Sequence, residues 1–250
     1  MLIPSEDQEE TLALELPTPV VDFLQVIGIN WPQVNEDKVR EFAGHVRQFA
    51  SDIDDTHNQA SATIHALGQA YQGNSYEMLV SKWAGLTQGH MTALLDACKV
   101  LADALEAAAV AIVGLKAEAI AELVVLAATF VADQAAAVVT FGLSEAALPL
   151  IEEAAEKLVD FLTQQLIQEI VGKVIEAALK PLLELVQKAA SGISFSALED
   201  MLGVGEGSGT GYSMEPDTVI AHAETFSQYA DTVSTHAQTF ATNVAGLSFA

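Results

Sequence analysis

From Glu36 to Tyr71 the chain carries a regular stripe: Val39, Phe42, Val46, Phe49, Ile53, His57, Ala60, Ile64, Leu67 and Tyr71. The steps alternate between three and four, apart from one four-residue pair near the middle. This is the seam of a coiled-coil-like helix of roughly five heptads. Asn35 sits where an N-cap belongs, and Glu36 and Asp37 suit the positive end of the helix dipole. His57 alone is out of character on the stripe.

The pattern breaks at Tyr71-Gln72-Gly73 and resumes at once. Gly73 stands where a helix C-terminal glycine cap is expected, and Asn74 with Glu77 three residues later has capping-box spacing. The next stripe runs through Tyr76, Leu79, Val80, Trp83, Leu86, Leu94, Leu95, Leu101 and Leu105. So short a turn makes the two helices antiparallel neighbours. Beyond Leu105 the apolar character spreads nearly all round, which predicts a helix buried on most sides and continuing to about Thr140, with Gly114 as its weak point.

Other segments are shorter or looser. Pro17-Thr18-Pro19 opens a short helix, Val20 to Ile27, that Gly28 ends. Ser144 is placed to cap a third long helix, with Pro149 near its first turn and Pro181 as a kink or end. A last stripe, Val219, Ala223, Phe226, Ala230, Val233, Ala237, Phe240 and Val244, repeats every 3.5 residues and calls for a helical partner. The expected organisation is a flexible acidic N-terminus over 1–16, an extended helical domain over 17–202, a glycine-rich linker over 203–216 and a C-terminal helix over 217–250. The fold class is all-α: an elongated helical bundle built on a long antiparallel hairpin.

Composition supports this and narrows function. Half the residues, 51%, are hydrophobic but only 6% are aromatic, so the apolar mass is aliphatic and small. Ten basic residues against 34 acidic ones give a net charge of −24, which argues against nucleic acid and anionic lipid as partners. The acidic start, Met1 to Asp7, is not a Sec signal peptide. Over Ala107 to Gly142, Lys116, Glu118, Glu122 and Asp133 interrupt what would otherwise approach a membrane span, so membrane contact is not constitutive.

Candidate chemistry is sparse. Glu41/His45 and Asp54/His57 lie on one helix more than two turns apart, and His222 and His236 have no carboxylate frame, so no metal is expected. Gly203 to Gly211 has neither the lysine nor the preceding strand of a phosphate loop. Cys98, the single cysteine, reads as a buried structural thiol despite Lys99 beside it. No nucleophile elbow is present. The expectation is a protein that is not an enzyme and needs no cofactor.

Aromatic-x-glycine triplets stand at the bend, Tyr71-Gln72-Gly73, and in the second helix, Trp83-Ala84-Gly85. Leu16-Pro17, Val26-Ile27-Gly28, Trp31-Pro32, Asn35-Glu36-Asp37, the bend with Asn74-Ser75, Trp83, Lys116 and Thr140-Phe141-Gly142 together resemble, over about residues 16–190, the N-terminal WXG-like domain of CpnT-type actinobacterial polymorphic toxins. The resemblance implies a type VII (ESX) secretion substrate or export-targeting module, cytoplasmic before export. Its partners would be a small WXG-like protein or a second copy, and the secretion machinery. Tyr71, Gly73, Asn74, Trp83 and Gly85 would form the bend and its partner surface, and Val39, Phe42, Val46, Phe49 and Ile53 the pairing seam. Two departures stand out. The bend carries tyrosine instead of tryptophan. The Tyr-x-x-x-Asp/Glu export signal is absent: Ser75, Val80, Pro216 and Val233 follow the four tyrosines at that spacing. The alternative is a membrane-active helical protein that stores Ala107 to Gly142 in a bundle.

Overall fold

A computed structural model describes residues 14–140, 148–170, 172 and 213–248. Within them six α-helices make an all-α bundle: α1 Thr18–Ile27, α2 Glu36–Ala70, α3 Asn74–Leu86, α4 Thr92–Thr140, α5 Leu148–Glu169 and α6 Pro216–Ala245. A π-helical turn, Thr87–Met91, joins α3 to α4. Two short strands, β1 Tyr71–Gln72 and β2 Ser213–Met214, pair antiparallel with Tyr71 opposite Met214. The predicted Ser144 cap, the Pro181 kink and the glycine run 203–211 lie outside the described residues.

The contacts divide the chain into two units, the first holding 1–41, 105–174 and 248–250, the second 42–104 and 175–247. In the first unit α1 begins with the Pro17 carbonyl accepting the N–H groups of Val20 and Val21. It ends at Gly28, whose φ of 73° is left-handed and lets Ile29 N–H reach back to Leu24 O. Its core joins Val20, Phe23 and Leu24 of α1 to Leu123 and Ala127 of α4 and to Ile151, Ala155 and Val159 of α5. Phe23 and Phe130 add a tilted ring contact with centroids 5.3 Å apart.

One buried ion pair crosses this unit. Glu36 is 1% exposed and Lys116 5%, and Lys116 Nζ donates to Glu36 Oε2 at 2.6 Å. Lys116 also donates to Val34 O, and Leu14 N–H donates to the other Glu36 oxygen at 2.5 Å. Burial pushes the Glu36 carboxyl towards a higher pKa; the Lys116 ammonium and the Leu14 N–H outweigh it and hold the group below the ordinary carboxylate value. At the start of α2, Asn35 Oδ1 accepts from Asp37 and Lys38 N–H, the cap expected of it.

Past Leu105, α4 departs from the expectation of burial on most sides. Ile112 and Leu123 are fully buried, but Val110 and Val125 are 65% exposed and Val131 63%. Among the described residues no helix is long and apolar enough to cross a membrane. The irregularity in the long second arm falls at Thr87–Met91 and not at Gly114, which lies in unbroken helix. Thr87 and Thr92 hydroxyls there donate to the carbonyls of Trp83 and Thr87, relieving part of the disturbed ladder.

In the second unit α2 divides its face between two neighbours. Val46, Ile53, Ala60 and Leu67, seven apart, are buried. Phe49, Thr56, Thr63 and Ala70, also seven apart, meet α6 and its approach: Phe49 stacks on Phe240, Thr56 bonds His236, Thr63 bonds Tyr229, and Ala70 O accepts from Glu215 N–H. These pairs descend α2 as they ascend α6, so the two helices are antiparallel. His57, Ser61 and Gly68 meet α3, again antiparallel. On α6, Phe226 and Phe240 face inward as the spacing predicts, but Ala223, Ala230, Val233 and Ala237 are exposed. His222, Tyr229 and His236 take half-buried positions instead, and for Tyr229 and His236 the reason is that α2 offers the Thr63 and Thr56 hydroxyls there.

Candidate interaction site at the hairpin bend

The chain reverses at Gly73, whose φ of 155° and ψ of 172° suit glycine alone. Gly73 O accepts from Tyr76 and Glu77 N–H at 3.0 and 3.3 Å, so this glycine opens α3. The expected roles are therefore corrected. Gly73 does not cap the end of α2; the last carbonyl of that helix, Ala70 O, is satisfied by Glu215 N–H at 2.9 Å. Asn74 is the first residue of α3 and makes no side-chain cap, so no capping box with Glu77 forms. Strand pairing holds the bend, since a two-residue edge with free N–H and C=O groups recruits a second edge.

Tyr71 is half-buried in β1, and Asn74 and Gly85 are exposed. A Cβ added at Gly85 would meet nothing within 4 Å, so packing does not require glycine in the Trp83-Ala84-Gly85 triplet. Trp83 is the engaged member. Its ring stacks on His57 at 4.8 Å and 11°, meets Phe226 edge-on at 6.1 Å, and its Nε1–H donates to Ser61 Oγ at 2.8 Å. Phe226 in turn meets Tyr229 at right angles. Trp83 thus joins α2, α3 and α6, and each polar edge of the cluster finds a partner.

Two hydroxyl–imidazole contacts and one hydroxyl–hydroxyl contact complete the site. Thr87 Oγ1 gives its proton to Trp83 O, so His57 Nε2–H donates to Thr87 at 2.9 Å. By the same logic Thr56 and Thr63, which donate to Asp52 O and Gln59 O, accept from His236 Nε2–H at 3.1 Å and from the Tyr229 hydroxyl at 3.1 Å. Asp52 lies 3.9 Å from His236 Nδ1. Burial lowers the pKa of His57, with Asp54 offsetting part of the effect, so the seam histidine is held neutral as an aromatic stacking surface.

Sequence reasoning missed several of these residues. Gly68 carries the Tyr76 phenol directly over its backbone, where a Cβ would collide with the ring. Tyr76 entered the reading only as a seam position. Thr56 and Thr63 on α2, and Tyr229 and His236 on α6, were matched in the sequence by a shared spacing of seven, the one signal that pointed to them. The seam residues Val39, Phe42, Val46, Phe49 and Ile53 were expected to face a second chain. Val39, Val46 and Ile53 are at most 5% exposed within this one, and Phe49 is covered by Phe240.

Elsewhere, a cleft of about 360 Å³ is lined by Leu14, Glu15, Trp31, Gln33 and Lys116 among others, but the charge of Lys116 is taken up by Glu36. Among the described residues no group of three or more His, Cys, Asp or Glu side chains converges as metal ligands would. Cys98 is 3% exposed, and burial pushes its thiol pKa up. Its thiol is therefore expected to resist maleimide in the native protein and to react once denaturant is added; rapid native labelling would contradict this burial.

A helical hairpin reversing at an aromatic-x-glycine, with an aromatic cluster on its inner face, defines a class of helical-hairpin domains. The chain belongs to the WXG100-like domain family, whose model matches residues 14–158. That span takes in α1, the hairpin, α4 and the first half of α5, and leaves α6 outside. No curated protein matches the chain, and no solved structure does.

Proposed function

We propose that the protein is a non-enzymatic type VII (ESX) secretion substrate or export-targeting module, of the kind that heads CpnT-type toxins. The observation that carries this reading is the WXG100-like match over 14–158, within which the hairpin reverses at Tyr71-Gln72-Gly73. The side chains gathered around Trp83 are engaged in stacking and hydrogen bonds with one another, an arrangement suited to holding helices together. The protein is cytoplasmic before export and leaves through the type VII machinery. Its partners are the secretion machinery and a small WXG-like protein or a second copy of the chain.

The test is mass spectrometry of culture supernatants from the native host with and without its type VII ATPase. The chain is expected in the first and absent from the second. Equal amounts in both, or none in either while the protein is abundant in cells, would overturn the proposal.

A further inference from the structure

We propose that α6 is a built-in partner helix: it occupies, within the same chain, the hairpin face that a WXG100-like domain offers to a second chain, and it yields that face to a competing helix. The proposal rests on membership of the family and not on export. Proteins of the WXG100 family generally form helical hairpin dimers with partners, and the matched domain ends at residue 158, well before α6. Yet α6 lies along α2 from the bend to Phe49, as a partner helix would.

The contacts recur from the start of the helix to Phe240. β2 pairs with β1 at the bend, and Glu215 N–H satisfies the end of α2. Phe226 then meets Trp83, Tyr229 bonds Thr63, His236 bonds Thr56, and Phe240 stacks on Phe49 at 4.9 Å. Each of these four side-chain contacts pairs an aromatic with an aromatic or a hydroxyl with a donor, so this face selects a helix by side-chain type as well as by apolarity.

The attachment is also of the kind that can be exchanged. α5 buries Ile151, Ala155, Val159, Leu162 and Leu166, whereas α6 buries no residue fully. α3, the other wall of the face, has none either. Elements with few fully buried side chains open at lower free-energy cost than the core and are the ones a ligand displaces. A face filled most of the time binds a competitor with an affinity reduced by the fraction of time it is open.

Two measurements on the full chain test this. In native-state hydrogen exchange, the amides of Pro216–Ala245 are expected to exchange faster than those of α5 and of Val46–Leu67. Exchange of all three at one common rate would make α6 an integral part of the fold and overturn the proposal. The second measurement titrates a fluorescent peptide of residues 213–247 against two forms of the chain, native and Phe226→Ala/Phe240→Ala. The weakened form should bind the peptide at least about tenfold more tightly, because its own α6 vacates the face more often. Equal affinity, or no binding to a variant whose α6 amides exchange freely while α5 stays protected, would mean that the face does not accept an incoming helix.

Discussion

Lys116→Ala is expected to destabilise the protein by about 3–5 kcal/mol, the cost of breaking a buried ion pair and leaving one charge behind. Glu36 would keep its carboxylate at 1% exposure without its ammonium partner, and Val34 O would lose its ammonium donor. The pair also connects the segment before α1, the loop before α2, the first turn of α2 and the middle of α4, so its loss is felt in four places. Glu36→Gln/Lys116→Met removes both charges and is expected to recover most of the stability, because uncharged replacements of similar volume avoid desolvating two ions. Urea unfolding of the three proteins measures this. A Lys116→Ala midpoint equal to the wild type would contradict the buried pair.

The pair also fixes an acid limit. The pKa of Glu36 is lower in the folded chain than in the unfolded one. Its contribution is therefore present in full above the ordinary carboxylate pKa and is lost as pH falls through the lowered folded value. The wild type should lose stability over that window, and the double variant should lose less.

These two residues also mark the limits of reading the sequence. Glu36 is legible as a first-turn acid of α2, and Lys116 as an interruption in an apolar stretch. Each has a local explanation sufficient in itself, and nothing in the spacing links positions 80 residues apart. The helices themselves are read from local pattern, and the second one begins and ends at Glu36 and Ala70 as the stripe indicates. The bend is legible as a reversal because only glycine permits the backbone of residue 73, but its supporting strand is not. Ser213–Met214 follows a glycine run and has no periodicity of its own.

The seam shows a subtler failure. The apolar spacing puts Phe49, Ile53 and His57 on a single stripe, but a helix of 3.6 residues per turn presents adjacent faces to different neighbours. Phe49 belongs with Thr56 and Thr63 towards α6, and His57 with Ser61 and Gly68 towards α3. An apolarity count passes over Thr56 and Thr63, although their hydroxyls meet α6.

Val46→Asp is expected to abolish cooperative folding, whereas Phe49→Asp is expected to leave it intact. Val46 is 1% exposed, so a carboxylate there would be cut off from water. Burying an unpaired charge belongs to the small class of substitutions that cost more than about 4 kcal/mol, against a total stability of about 5–15 kcal/mol. Phe49 is only half-buried, and its ring stacks on Phe240 of α6. A carboxylate there can reach water, so the loss is the ring pair, about 0.5–1.5 kcal/mol beyond the area it covers. Circular dichroism melts distinguish the two: a lost transition for Val46→Asp, a slightly lowered one for Phe49→Asp with faster exchange confined to α6. A seam that exists to receive a second chain would give the opposite pattern, with both variants folding normally and both failing to pair. A wild-type melt for Val46→Asp would therefore return the seam to the surface and leave α6 without the role argued for it.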